Sequence, residues 1–173
     1  MVLRPPVEPM LAQARDTLPP LAPGQVAVQP KFEGFRALLF TPLRADEPVL
    51  LQTRRAALIQ DRFPDLAAAA RSLPGGLVLD GELAVLDPHG QLSFTALQRP
   101  RPGACSARVL AAATPAHFIA FDALQSDGQE LLEDPFARRR EVLEALFADH
   151  SARAAVDAVP VDHGACGRGR AAA

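Results

Sequence analysis

Apolar positions in this 173-residue chain alternate with polar ones in some stretches and recur at helical spacing in others, and the changes of period mark the elements. Residues 25–29 alternate and Pro30 holds Gln29 extended, which predicts a strand with Gln29, Lys31 and Glu33 on one face and Val26, Val28 and Phe32 on the other. Gly34 removes a side chain where the backbone bends or admits a ligand, and Arg36 restarts an apolar run, Ala37-Leu38-Leu39-Phe40, as a second strand. Residues 48–53 read as a third strand ending in Arg54-Arg55, and 63–73 as a helix begun by Pro64 and stopped by Pro74-Gly75-Gly76. In the strand 77–86, Leu77, Leu79, Gly81, Leu83 and Val85 share one face, while Asp80 and Glu82 share the other with Val78 and Ala84. Asp87-Pro88-His89-Gly90 reads as a turn, 104–113 as an alanine-rich helix, 116–124 as another strand and 126–129 as a turn. Asp134-Pro135 opens an amphipathic helix that buries Phe136, Leu143, Leu146 and Phe147 and leaves Arg138-Arg139-Arg140 on a solvated face, balanced by Glu141 and Glu144.

The two ends have a different character. Residues 1–24 are proline-rich and predict an extended lead-in with at most a short helix at 10–15; residues 151–173, built of Ala, Gly, Arg and Val, read as mostly disordered. The organisation expected is therefore a lead-in (1–24), one globular unit (25–150) and a tail (151–173).

Composition narrows the classes. A formal charge of −2 gives no basic excess for a stand-alone nucleic-acid-binding module. Cys105 and Cys166 lie far apart with no ligand-spaced neighbours, which suggests neither a disulfide framework nor a zinc site and fits a reducing cytoplasm. No apolar run approaches the roughly 20 residues of a membrane span, so no membrane partner is expected.

The chemistry concentrates at the stretch from Gln29 to Arg36, which sets a lysine, an acid, a glycine and an arginine between apolar runs. From the residues alone it is either a nucleophile site or a hairpin with solvated charges. Lys31-x-Glu33-Gly34-x-Arg36 resembles the K-x-D-G-x-R motif of covalent nucleotidyltransferases, and its flanks are most similar to bacterial ATP-dependent DNA ligases. Further segments resemble that family in its order: Pro9-Met10-Leu11-Ala12, Thr53-Arg54, Phe63-Pro64-Asp65-Leu66, Leu79-Asp80-Gly81-Glu82-Leu83, the 91–99 segment as a short helix over the sheet, and Phe121-Asp122-Ala123-Leu124. Without the resemblance, Arg54 reads as a strand-end cation, Asp80 and Glu82 as the outer face of a half-exposed strand, Phe121 as core, and the 99–103 loop as solvated.

The resemblance implies an α/β (α+β) fold of mainly antiparallel strands with flanking helices, an ATP-grasp-like nucleotidyltransferase domain. It implies that Lys31 attacks the α-phosphate of ATP, with Mg²⁺ offsetting phosphate charge, to form a lysyl-AMP, and that AMP then passes to the 5′-phosphate of nicked DNA. Arg36 and Arg54 would contact the nucleotide, Glu82 the ribose hydroxyls, Phe121 would stack on the adenine beside Gln29, and Glu33 would lie near the phosphate or metal. Glu33 departs from the family's Asp, a longer arm that can displace groups by roughly 1 Å. Lys31 is the sole lysine, so the family's later K-x-K strand is not found here, nor its metal-holding E-G strand or OB-type domain. The expectation is an incomplete adenylation domain with an open sheet edge, weak or inactive unless a complementing ligase fragment is supplied. RNA ligases and capping guanylyltransferases share the lysine motif, and an inert nucleotide-binding or interaction remnant is the alternative outside enzymes.

Overall fold

A computed structural model of the chain describes residues 1–11, 13–14, 16–17, 27, 29–87, 89, 91–98, 104–150 and 156–158. Its centre is an antiparallel sheet in the order β2 (Leu50–Thr53), β1 (Phe35–Phe40), β3 (Val78–Val85), β4 (Ala116–Ser126) and β5 (Gln129–Glu130). Helices α1 (Pro64–Ala70), α2 (Phe94–Leu97), α3 (Ala104–Ala113) and α4 (Phe136–His150) complete the mainly antiparallel α/β architecture that the resemblance implies. Among the described residues no helix is long and apolar enough to cross a membrane.

The period-two reading of β3 holds. Leu79, Leu83 and Val85 join Ala37 and Leu39 of β1 and Phe118 and Ala120 of β4 in one core, closed by Phe63, Leu66, Leu143 and Phe147 from the helical side. Each leucine, valine or phenylalanine among them contributes about 1.5–3 kcal/mol on burial. Gly81 lets β3 and β4 close up here: a Cβ on it would sit 2.6 Å from the Ile119 carbonyl oxygen and the Phe118 ring. Pro64 starts α1 as expected, and the Asp65 carboxylate accepts the Ala116 N–H at 2.7 Å, tying the helix start to β4.

The other face of the sheet is divided between the lead-in and an open site. Residues 3–7 lie over its Leu38, Phe40, Val78 and Leu124. Buried Gln125 accepts the Leu3 N–H at 2.6 Å, and buried Gln52 both accepts the Val7 N–H at 2.9 Å and donates to the Val7 carbonyl at 2.6 Å. These amides satisfy backbone groups of a segment that has no regular structure of its own.

Two bulges shape this face. In the β3–β4 register Asp80 pairs with Asp122 and Gly81 with Ala120, which skips Phe121; Val78 pairs with Gln125 and Leu79 with Ala123, which skips Leu124. An extra residue turns two successive side chains to one side, so Phe121 with Asp122, and Leu124 with Gln125, leave the helix-covered core.

Two expectations are corrected, on the strand before β1 and on the arginines of α4, and the structure adds detail at both ends. Residues 29–33 carry no strand and β1 begins at Phe35, because Pro30 has no N–H for a ladder; residues 25, 26 and 28 lie outside the described ones. No helix forms at 10, 11, 13 and 14, while 12 and 15 lie outside the described residues, as does the loop 99–103. Arg139 and Arg140 are buried, not solvated: Arg139 stands four residues before Leu143 and eight before Phe147, on the inward stripe of α4. Within 151–173, Val156–Ala158 form a strand, β6, parallel to Phe118–Ala120, so part of the open edge of β4 is covered. The rest of that segment lies outside the described residues.

Candidate active site

Arg36 is the hinge of the site. It stands opposite Glu82 across β1 and β3, and reaches diagonally to Asp80 on the same face, donating from Nε at 3.0 Å and from Nη2 at 2.6 Å. Its guanidinium carbon lies 5.3 Å from the centre of the Phe121 ring. The bidentate bond to Asp80 holds Arg36 firmly cationic, against the cost of partial burial. Burial pushes the Asp80 carboxyl above the ordinary aspartate range, and Arg36 opposes that rise. On the far side of Asp80, Asp122 accepts Arg139 Nε and Nη2 at 2.9 and 2.8 Å, and Arg139 Nη1 donates to the Asp134 carbonyl at 2.6 Å. The row Arg36, Asp80, Asp122, Arg139, two neighbouring carboxylates flanked by a guanidinium at each end, thus links the start of β1 to the start of α4.

Arg36 lies between two open clefts. One, of about 820 Å³, is lined by Gly34, Thr53, Arg54, Arg55 and Glu82. The other, of about 570 Å³, includes Gln29, Asp80, Phe121, Leu132 and Phe136. Gln29 donates from Nε2 to the Phe121 carbonyl at 3.3 Å, which ties the loop before Lys31 to the bulge in β4. Glu82 is half-buried; burial raises its carboxyl above the ordinary range, while Arg36, the Gly34 N–H and Lys31 favour its charged form. Gly34 is required for this approach, since a Cβ would collide with the Leu83 carbonyl oxygen and press on Glu82 Cγ.

Among the residues singled out in the sequence, Arg36, Arg54 and Glu82 share the first cleft, and Gln29, Arg36 and Phe121 share the second. Lys31 is exposed on the loop, within electrostatic reach of Glu82. Glu33 is exposed and lines neither cleft. The ring of Phe121 carries Arg36 on it, a contact that the sequence did not suggest. Asp80, Asp122, Arg139 and Arg55 were missed as parts of the site. The available signal was two acids in an apolar strand, on the face that Arg36 also occupies, which demands a buried cation.

Three guanidiniums against one carboxylate in the larger cleft fit a polyphosphate. The donor set for Mg²⁺ is different: among the described residues no group of three or more His, Cys, Asp or Glu is placed to hold a metal ion, and Glu33 supplies no cluster for one.

Comparison with known proteins agrees with this geometry. Residues 9–162 match the ATP dependent DNA ligase domain. The chain is 42% identical over 146 residues to DNA ligase C1 of Mycolicibacterium smegmatis, covering 82% of this chain and 41% of that protein. To DNA ligase C of Mycobacterium tuberculosis it is 41% identical over 141 residues, covering 80% and 37%. Its fold matches mycobacterial DNA ligase D complexed with ATP and MES with a TM-score of 0.57 at 29% identity, over 78% of this chain and 40% of that one. The chain spans about two-fifths of the length of these relatives. With a lysine loop, a cationic cleft and a family match over most of its length, the chain belongs to the ATP-dependent DNA ligases.

Proposed function

We propose that the two clefts joined at Arg36 hold ATP and that Lys31 is the residue adenylylated. The observation that carries this reading is the position of Arg36, which borders both an aromatic cleft suited to a base and a cationic cleft suited to sugar and phosphates. Phe121 and Gln29 receive the adenine, Glu82 accepts from ribose hydroxyls, and Arg36 and Arg54 bind phosphate. The neutral Nζ of Lys31 attacks the α-phosphorus; the N–P bond forms, the bond to the bridging oxygen breaks with its electron pair leaving on pyrophosphate, and the amine releases a proton to solvent. Glu33, exposed on the same loop as Lys31 and outside both cleft linings, is the acid proposed to face the reacting phosphate. Mg²⁺ is expected with the nucleotide.

The AMP then passes to the 5′-phosphate of nicked DNA, with a complementing ligase segment as a further partner and the cytoplasm as the place of action. Residues 25–150 form the nucleotide unit, with 1–24 as a lead-in. A second reading, nucleotide binding without covalent transfer, is favoured by one observation: these 173 residues contain a single lysine. Incubation with α-labelled ATP or GTP and Mg²⁺, followed by denaturing electrophoresis, tests both. Label from ATP but not GTP, absent in Lys31→Ala, supports adenylylation. ATP binding with no surviving label supports the second reading.

A further inference from the structure

Arg55 has no part in the chemistry so far, yet it lines the same cleft as Arg36, Arg54 and Glu82. Neighbours in a strand point to opposite faces, but β2 has ended at Thr53, and a tight turn changes the directions. The turn is fixed: Ala56 N–H donates to the Thr53 carbonyl at 2.9 Å, Thr53 N–H to the Ala57 carbonyl at 2.9 Å, and Ala57 N–H to Thr53 Oγ1 at 3.2 Å. Ala56 takes a φ of 61°, which a tight reversal needs. Both arginines are exposed, and among the described residues neither has a carboxylate partner. Arg36, in contrast, is already neutralised by Asp80. The uncompensated positive charge of the cleft therefore sits at the Arg54-Arg55 turn.

Resting on the reading of the clefts as an ATP site, we propose that Arg55 binds the β- and γ-phosphates of the nucleotide. With the base at Phe121, Arg36 in the middle and the ribose at Glu82, the Arg54-Arg55 turn marks the far wall of the cleft, where the distal phosphates end. Arg55 then senses the diphosphate tail and is indifferent to AMP. A guanidinium matches two phosphate oxygens at once, so its loss weakens binding by an amount a titration resolves.

The test is calorimetric titration of the full chain and of Arg55→Ala with ATP, AMP and inorganic pyrophosphate, with thermal melting to confirm that the exposed substitution leaves the fold intact. The expected result is an ATP dissociation constant raised about tenfold, a parallel loss for pyrophosphate, and an AMP constant within about twofold of the parent. Equal weakening of ATP and AMP, or no change in either, overturns the proposal. So does a variant that keeps its ATP affinity but loses affinity for a nicked duplex, which reassigns Arg55 to DNA phosphate. If the parent chain binds AMP and ATP not at all, the reading of the clefts fails and this proposal with it; if the parent binds ATP and the variant matches it, only this proposal fails.

Discussion

The Arg36–Asp80 pair is asymmetric, and the asymmetry makes a measurable forecast. The Asp80 side chain is 4% exposed and the Arg36 side chain 25%, so the two ends differ in what happens when each loses its partner. Arg36→Met keeps an unbranched apolar stem but removes the guanidinium that lies over Phe121, and strands Asp80 in the sheet, opposite Asp122. Stranding one half of a buried pair costs about 3–4 kcal/mol, which for a chain of this length lowers the thermal midpoint by roughly 6–16 °C. Asp80→Ala leaves a guanidinium that water can reach, and costs only about 1–2 kcal/mol. The pH dependence follows from the same burial. Asp80 already sits above its ordinary value of 3.8, chiefly through desolvation, and loses in Arg36→Met the cation that restrains it. A carboxyl whose folded value exceeds its unfolded one costs stability where it is ionised, so the deficit is full at neutral pH. It shrinks as pH falls through the raised folded value and is gone below the ordinary one. Urea unfolding of both variants at about pH 4 and about pH 7.5 measures this. A larger loss for Asp80→Ala than for Arg36→Met, or an Arg36→Met deficit independent of pH, would refute the reasoning.

Two other substitutions separate stability from binding. Glu82→Gln removes a charge that burial disfavours, so its thermal midpoint at neutral pH equals or exceeds the parent's, and the difference disappears towards the ordinary carboxylate range; ATP affinity falls by about tenfold, and a lower midpoint at neutral pH contradicts the assignment. Arg139→Ala removes the guanidinium donors from the Asp134 carbonyl and from Asp122, which keeps the Ala123 N–H, and costs about 3–5 kcal/mol in urea unfolding; a loss below about 0.5 kcal/mol would mean that this arginine is a surface charge after all.

The sheet was legible because its signals are local. Alternation in β3, the Pro64 start of α1 and the Asp127-Gly128 reversal each depend on a few neighbouring residues, and the structure follows them. The site was legible only in part. Residues that act through their own position, such as Arg36 and Glu82, carry motif spacing, and they meet in one cleft. Residues that act through a distant partner do not: Asp80 needs the β1–β3 register, and Arg139 needs α4 docked on β4 before either pairing exists. The bulge that exposes Phe121 is a mismatch between two strands, invisible in either strand alone. Residues 3–7 gave no periodic signal because their placement comes from Gln52 and Gln125, far along the chain.

Peptide mapping of the chain after incubation with ATP and Mg²⁺ tests the central claim most directly. Adenylate carried by the peptide containing Lys31, released by acid as expected of a phosphorus–nitrogen bond and absent from Lys31→Ala, is the predicted result. Adenylate on any other residue, or on a peptide of the Lys31→Ala variant, would contradict the account.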